Sequence, residues 1–175
     1  TPKPSSAASD VYKRQQRELI ENQRGITYFG LFGPYLAGAK KIVVEDAYVR
    51  KPYQLRNLAE FLEMLLRCKN PDEDVAVHLV TGHNEPGFME AQLDGLNELA
   101  STFSQLGVNL TYEFRDTLHD RSITSDTGWE ILPGRGLDIF QKFVDGDWLN
   151  PLLRHQQLRR VKECKVTYRR IDEKQ

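Results

Sequence analysis

Apolar side chains recur along this chain in two periods, and the switches between them outline its elements. Over residues 26–40, Tyr28, Leu31, Phe32, Tyr35 and Leu36 fall at helical spacing. Pro34 is expected near the first turn, where its missing N–H costs little. Ile42-Val43-Val44 is a short β-branched run suited to a buried strand, and it ends in the polar cluster Glu45-Asp46-Ala47-Tyr48-Val49-Arg50. Pro52 then opens a helix at a favoured first-turn position. Leu55, Leu58, Leu62 and Leu65 form its inner stripe, Phe61 and Leu66 widen it, and Asn70-Pro71 ends it. Residues 75–81 predict a second strand and residues 82–87 a polar loop. A long helix follows, with Met89, Leu93, Leu96, Leu99, Phe103 and Leu106 on one face, stopped at Gly107. Residues 109–115 alternate Leu110, Tyr112 and Phe114 as a third strand.

Strands alternating with helices imply parallel pairing through right-handed crossovers. The expected fold is therefore a single α/β domain with a mixed, mostly parallel sheet flanked by helices. Functional loops should lie at the carboxyl ends of the strands, at residues 45–50, 81–85 and 116–121. Beyond them the rhythm changes. Residues 121–123 and 129–132 predict a hairpin around Ser125-Asp126-Thr127-Gly128. Pro133-Gly134-Arg135-Gly136 leads into a short helix over residues 137–143. Asp147-Trp148-Leu149-Asn150-Pro151 predicts a turn, and residues 161–171 a last strand.

The start of the chain stands apart from this pattern. Ser5-Ser6-Ala7-Ala8-Ser9-Asp10-Val11-Tyr12-Lys13-Arg14-Gln15 reads as the translation of a common transposon sequencing adaptor. Residues 1–15 are therefore expected to be a library artefact without ordered structure, and residues 16–175 the domain of a gene truncated at its start. The whole chain carries 24 basic and 25 acidic residues. Without Lys3, Lys13, Arg14 and Asp10 the net charge moves from −1 to −3, which gives no global drive toward nucleic acid or anionic membrane. Cys68 and Cys164 are the only cysteines, with no CxxC spacing, so neither a zinc site nor another metal is indicated and a reducing, cytoplasmic setting is expected. No stretch reaches the roughly 20 apolar residues of a membrane span.

Candidate chemistry concentrates at His119-Asp120-Arg121. With Asp126, these residues keep an H-x-R-x4-D spacing, and Asp46, Tyr48 and Arg50 sit at another strand end. Glu45 to Arg50 could equally be a loop in which Asp46 caps a helix or pairs with Arg50. Asp120, Arg121, Arg135 and Asp138 could form a structural ion-pair network. His78 fits a sheet face, His83 with Glu85 lies in a loop, and His155 falls in a solvated segment. Arg154, Arg159, Arg160, Lys162, Lys165, Arg169 and Arg170 make a basic run that either contacts phosphates or is simply a solvated strand. Aromatic interleaving is slight there, so nucleic-acid binding is not indicated.

Several blocks together resemble the phospholipase D-like C-terminal domain of MIT-domain proteins. They are Val44-Glu45-Asp46-Ala47-Tyr48-Val49-Arg50 with Tyr53-Gln54-Leu55-Arg56-Asn57-Leu58, then His119-Asp120-Arg121-Ser122-Ile123, Asp126-Thr127-Gly128-Trp129 and Gly134-Arg135-Gly136-Leu137-Asp138-Ile139-Phe140. The family usually has proline where Ala47 stands. The resemblance implies a phospholipase D-like fold, a homodimer, an anionic-membrane ligand and peripheral membrane attachment. It also implies an upstream module, either MIT helices or a AAA+ or Lon-like protease.

Active phospholipases D use His-x-Lys-x4-Asp, with His attacking phosphorus and Lys neutralising the phosphate oxygens. Here Arg121 replaces Lys, there is one motif copy, and Gly134 to Asp138 lacks the Gly-Ser-x-Asn block of active members. No cofactor is implied. The expectation is a non-catalytic recognition domain that binds anionic phospholipid or a protein partner through Asp46, Tyr48, Arg50, His119, Asp120, Arg121, Gly134, Arg135, Gly136 and Asp138. Two alternatives stand beside it. One is a phosphodiesterase or nuclease with catalytic His119, Arg121 and Asp126 acting in a dimer; the other is a substrate-recognition domain of an ATP-driven protease.

Overall fold

The computed structural model of the protein describes residues 14–142 and 149–171. The three apolar runs pair side by side in parallel, as β2 (Lys41–Glu45), β3 (Val75–Thr81) and β4 (Val108–Phe114). Ile42, Val44, Val75, Val77, Leu79, Val108 and Leu110 point to one face and are buried, while the intervening Lys41, Val43, Ala76 and Asn109 are exposed. Helices α1 (Tyr28–Leu36), α2 (Pro52–Cys68) and α3 (Met89–Ser104) supply the opposing layer, with Phe32, Leu58, Phe61, Leu62, Leu65 and Leu96 in a common core. Burying such side chains contributes roughly 1.5–3 kcal/mol each. Thr27 caps α1 by accepting the Gly30 N–H on its hydroxyl. Pro34 is the seventh of nine residues in that helix rather than part of its first turn.

The rest of the sheet runs the other way. Strands β5 (Ser122–Ser125) and β6 (Trp129–Pro133) form the expected hairpin, and β7 (Cys164–Arg170) pairs with β6. Among the described residues the order is β1-β7-β6-β5-β2-β3-β4, and only β2–β3 and β3–β4 are parallel. The mixed sheet holds, but its expected balance is reversed: it is mostly antiparallel. The physical reason lies after β4. Residues 115–121 return across the ends of β3 and β2 to start β5 beside β2, an antiparallel step that needs no crossover helix. Seven extended residues reach roughly 23 Å, enough for the three strand spacings crossed.

Three other expectations change. Strand β1 (Arg14–Leu19) is polar and carries no period, yet it pairs antiparallel with β7 from Arg14↔Arg169 to Leu19↔Cys164. The boundary drawn at Gln16 thus falls inside a ladder that also includes Arg14 and Gln15, because backbone pairing is indifferent to side-chain identity. Gln15 also accepts the Tyr35 hydroxyl at 2.7 Å. Residues 1–13 lie outside the described residues.

The helix expected over residues 137–143 is absent through Lys142, and Phe143 lies outside the described residues. The backbone bonds there go sideways instead: Gln141 N–H donates to Arg160 O, and Lys162 N–H to Ile139 O. Of the expected turn, Asp147 and Trp148 are likewise outside. Asn150 accepts the Leu152 N–H and caps the short α4 (Pro151–Arg154). Helix α3 ends at Ser104, so Leu106 falls in the turn beyond it and is half exposed, and the buried residues of the helix are Gln92, Leu96 and Phe103. Among the described residues no helix is long and apolar enough to cross a membrane.

Candidate functional site

Where β2 leaves the sheet, the chain turns over its own carboxylate. Asp46 is 3 % exposed, and its backbone N–H still donates to Val80 O, so the turn starts from a fixed point. One carboxylate oxygen accepts the Tyr48 N–H at 3.0 Å, closing an Asx turn; the other accepts the Leu137 N–H at 3.2 Å. Arg121 brings its Nε to 3.9 Å. A single buried acid therefore ties together the loops that follow β2, β4 and β6. Gly136 makes this possible. Its φ is +61°, and a Cβ there would overlap the Asp46 carboxylate.

Burial pushes the Asp46 carboxyl above the usual carboxylate range, while the two backbone N–H groups and Arg121 oppose that shift. Because the folded-state pKa lies above the unfolded one, this group's contribution to stability is complete below about pH 4 and declines as pH rises through the raised value. Urea unfolding of the wild type and Asp46→Asn between acid and neutral pH should show the wild type losing stability relative to the variant as pH rises. Parallel pH curves for the two proteins would mean that Asp46 is not shifted.

Above this hub stands Tyr48, 47 % exposed, with the Arg121 guanidinium 4.7 Å and the Arg50 guanidinium 5.1 Å from its ring centroid. Arg50 is held by its Nε donating to Ala47 O at 2.7 Å. Gly82 leaves the room it needs, since a Cβ there would lie 2.8 Å from Arg50 Nη2. Buried Gln92 braces the same loops: it donates to Val49 O and Gly82 O and accepts the Asn84 N–H. Beside Tyr48 an open cleft of about 390 Å³ is lined by His119, Asp120, Arg121, Leu132, Pro133 and Gly134. His119 and Asp120 are exposed and make no hydrogen bond or ion pair with other described residues.

Eight expected residues thus meet here: Asp46, Tyr48, Arg50, His119, Asp120, Arg121, Gly134 and Gly136. Asp46 and Gly136 form the support beneath the cleft rather than its wall. Three others point elsewhere. Asp126 lies at the far end of β5, where it accepts the Lys40 N–H, so His119, Arg121 and Asp126 do not converge. The four residues of β5 separate them by roughly 13 Å. Arg135 donates from Nε to Glu163 O, and Asp138 pairs with Lys162 at 3.0 Å. The expected network of Asp120, Arg121, Arg135 and Asp138 therefore does not form. Asp46 pairs with Arg121 and not with Arg50.

The other candidates resolve into local structure. His78 sits on the sheet face with Nδ1 2.8 Å from Thr111 Oγ1. His83 stacks on Phe114 and pairs with Asp116 at 2.9 Å rather than with Glu85. Its hydrogen bonds hold the Asp116 carboxyl below the usual range. His155 is exposed. The basic run is largely neutralised: Arg159 pairs with Glu60, Lys162 with Asp138, Lys165 with Glu18 and Arg169 with Glu130. No group of three or more His, Cys, Asp or Glu among the described residues could hold a metal ion. Leu132 and Pro133 line the cleft without having been anticipated; their only sequence signal is a place in the hairpin just before Gly134.

Comparison with known proteins bears on this geometry. Residues 25–170 match the family described as a phospholipase D-like domain at the C-terminus of MIT. MIT domain-containing protein 1 of the mouse is 36 % identical over 129 residues, covering 73 % of this chain and 51 % of the mouse protein. The chain spans about half the length of that curated relative.

Proposed function

This chain belongs to the family of phospholipase D-like domains at the C-terminus of MIT proteins, and from that premise we propose that it is a non-catalytic recognition domain whose Tyr48 cleft takes a phosphate-bearing lipid headgroup. The observation that carries this reading is the setting of Arg121. Its side chain is 26 % exposed, stacked over Tyr48, anchored by Asp46 through Nε and weakly bonded to Gly134 O through Nη1. A guanidinium has five N–H donors, so several remain for a bidentate grip on phosphate oxygens. His119 stands beside it with its ring unengaged by other described residues. Asp120 sets a carboxylate on the same wall, which suits a phosphate ester that also carries hydroxyl groups.

Recognition is favoured over hydrolysis by the place of Asp126. With that carboxylate a strand length away, the cleft holds a single histidine among the described residues, and the carboxylate beside it, Asp120, makes no hydrogen bond to its ring. A homodimer belongs to the same reading. Sedimentation equilibrium reporting a monomer at every concentration would remove that part.

Vesicle co-sedimentation tests the ligand. The protein is expected to partition onto vesicles containing anionic phosphoinositide and not onto phosphatidylcholine alone, with binding that weakens as salt rises. His119→Ala and Arg121→Gln should each lower the partition about tenfold, the loss of roughly one charge-assisted hydrogen bond. Equal binding to neutral vesicles, or variants that bind like wild type, would sink the proposal.

A further inference from the structure

A second concave region shares no lining residue with the Tyr48 cleft. It consists of two hollows, of about 530 and 270 Å³, that have Lys142 as a common wall. The first is floored by Pro52, Tyr53 and Phe88, and Phe88 is 59 % exposed although it leads straight into α3. The second is floored by Leu152, Leu153 and Leu158, of which Leu152 and Leu158 are also exposed. Apolar side chains left open to water in a concavity mark a place where a partner's side chains are buried.

Among the described residues the rim is predominantly basic. Lys51, Lys142, Arg24 and Arg160 border the two hollows, and Glu85 is the only acid among the described lining residues. Neighbouring cations are different. Arg159, Lys162, Lys165 and Arg169 each have a carboxylate partner, whereas Arg24, Lys51 and Arg160 have no ion pair among the described residues. Among the described residues, Arg24, Lys51 and Arg160 thus frame apolar hollows without a carboxylate partner. A small anion would use the rim and leave the leucines wet. A bilayer is met by apolar side chains that protrude, whereas these hollows receive them.

We infer that this basic-rimmed groove docks an acidic amphipathic segment of a partner protein, with apolar anchors in the two hollows and carboxylates facing Arg24, Lys51, Lys142 and Arg160. Two separate apolar hollows give the partner two anchor points, and anchors of this kind carry most of the affinity of such interfaces.

The test is fluorescence anisotropy with the whole chain and a labelled synthetic peptide that places leucines at helical i, i+3, i+4 and i+7 spacing with glutamates between them. The acidic peptide is expected to bind, and a scrambled peptide of the same composition to bind more than tenfold more weakly. Phe88→Asp and Leu158→Asp should each weaken binding about tenfold without changing the thermal melt, since both side chains are exposed. The double variant Arg24→Glu with Arg160→Glu should shift preference to a peptide with lysines in place of the glutamates. His119→Ala should leave the affinity unchanged, so failure of the lipid cleft and failure of this groove are distinguishable. Equal binding of the scrambled peptide, or variants that bind as wild type, would overturn the inference. So would loss of anionic-vesicle binding in the groove variants with peptide binding intact, which would make the region a bilayer face.

Discussion

Gly136→Ala is expected to lower the stability of the domain by about 3 kcal/mol and to abolish ligand binding at the Tyr48 cleft. Two independent costs add here. At φ +61° an L-residue with a Cβ is disfavoured by roughly 1–2 kcal/mol. The new methyl would also overlap the Asp46 carboxylate and stand 3.2 Å from Arg121 Cδ, and overpacking of that kind costs roughly 1–3 kcal/mol. Neither neighbour yields easily, because Asp46 is buried and holds two backbone N–H groups. Displacing it releases Tyr48 and Arg121 together. For a chain of this size the loss corresponds to a fall in melting temperature of roughly 6–12 °C. Calorimetry and vesicle co-sedimentation on the same sample check both halves. A variant that melts with the wild type would show that the glycine is not required.

The second large effect lies beneath α2. Glu60→Ala should destabilise the fold by about 3–5 kcal/mol, because it removes the carboxylate that faces a buried arginine. Arg159 is 5 % exposed, with Nη1 3.1 Å from Glu60 Oε2 and its guanidinium 4.3 Å from the Phe140 ring centroid. Glu60 also pairs with Arg56 and accepts from Gln156, whose own oxygen takes the Tyr28 N–H at the start of α1. The pair thus fastens the segment after α4 to two helices. Replacing both partners by apolar residues, Glu60→Leu with Arg159→Met, should recover most of the loss, since no charge is then left buried. Urea unfolding of the two single variants and the double variant measures the coupling directly. If the double variant is as unstable as Glu60→Ala, packing rather than charge is responsible.

Most elements were legible because their signals are local. The β-branched run at Ile42 to Val44, the leucine stripe of α2 and the alternation of Val166 and Tyr168 each follow from side chains a few residues apart. So does the β5–β6 hairpin, whose turn is closed by Gly128 at φ +88°. The gathering of Asp46, Tyr48 and Arg121 was readable too, because parallel strands deliver their carboxyl-end loops to one edge. The roles within that gathering were not. Asp46 and Gly136 read as ligand contacts and turned out to be support, a distinction set by burial. Asp126 matched a motif spacing, but a spacing of five residues along an extended strand carries a side chain away from its partner instead of around to it.

By itself the sequence determined the apolar periods, the three parallel strands, the hairpin and the edge on which charged and aromatic side chains collect. Only the tertiary structure decided that β1 is a strand, since Arg14 to Leu19 has no period and is held by β7. It decided that the sheet is mostly antiparallel, because a short return over β3 and β2 set β5 against β2. It also decided which cations of the basic run are paired, because Glu18, Glu60, Glu130 and Asp138 come from distant stretches of chain to meet it. Periodicity reports on neighbours along the chain, whereas burial and pairing belong to neighbours in space.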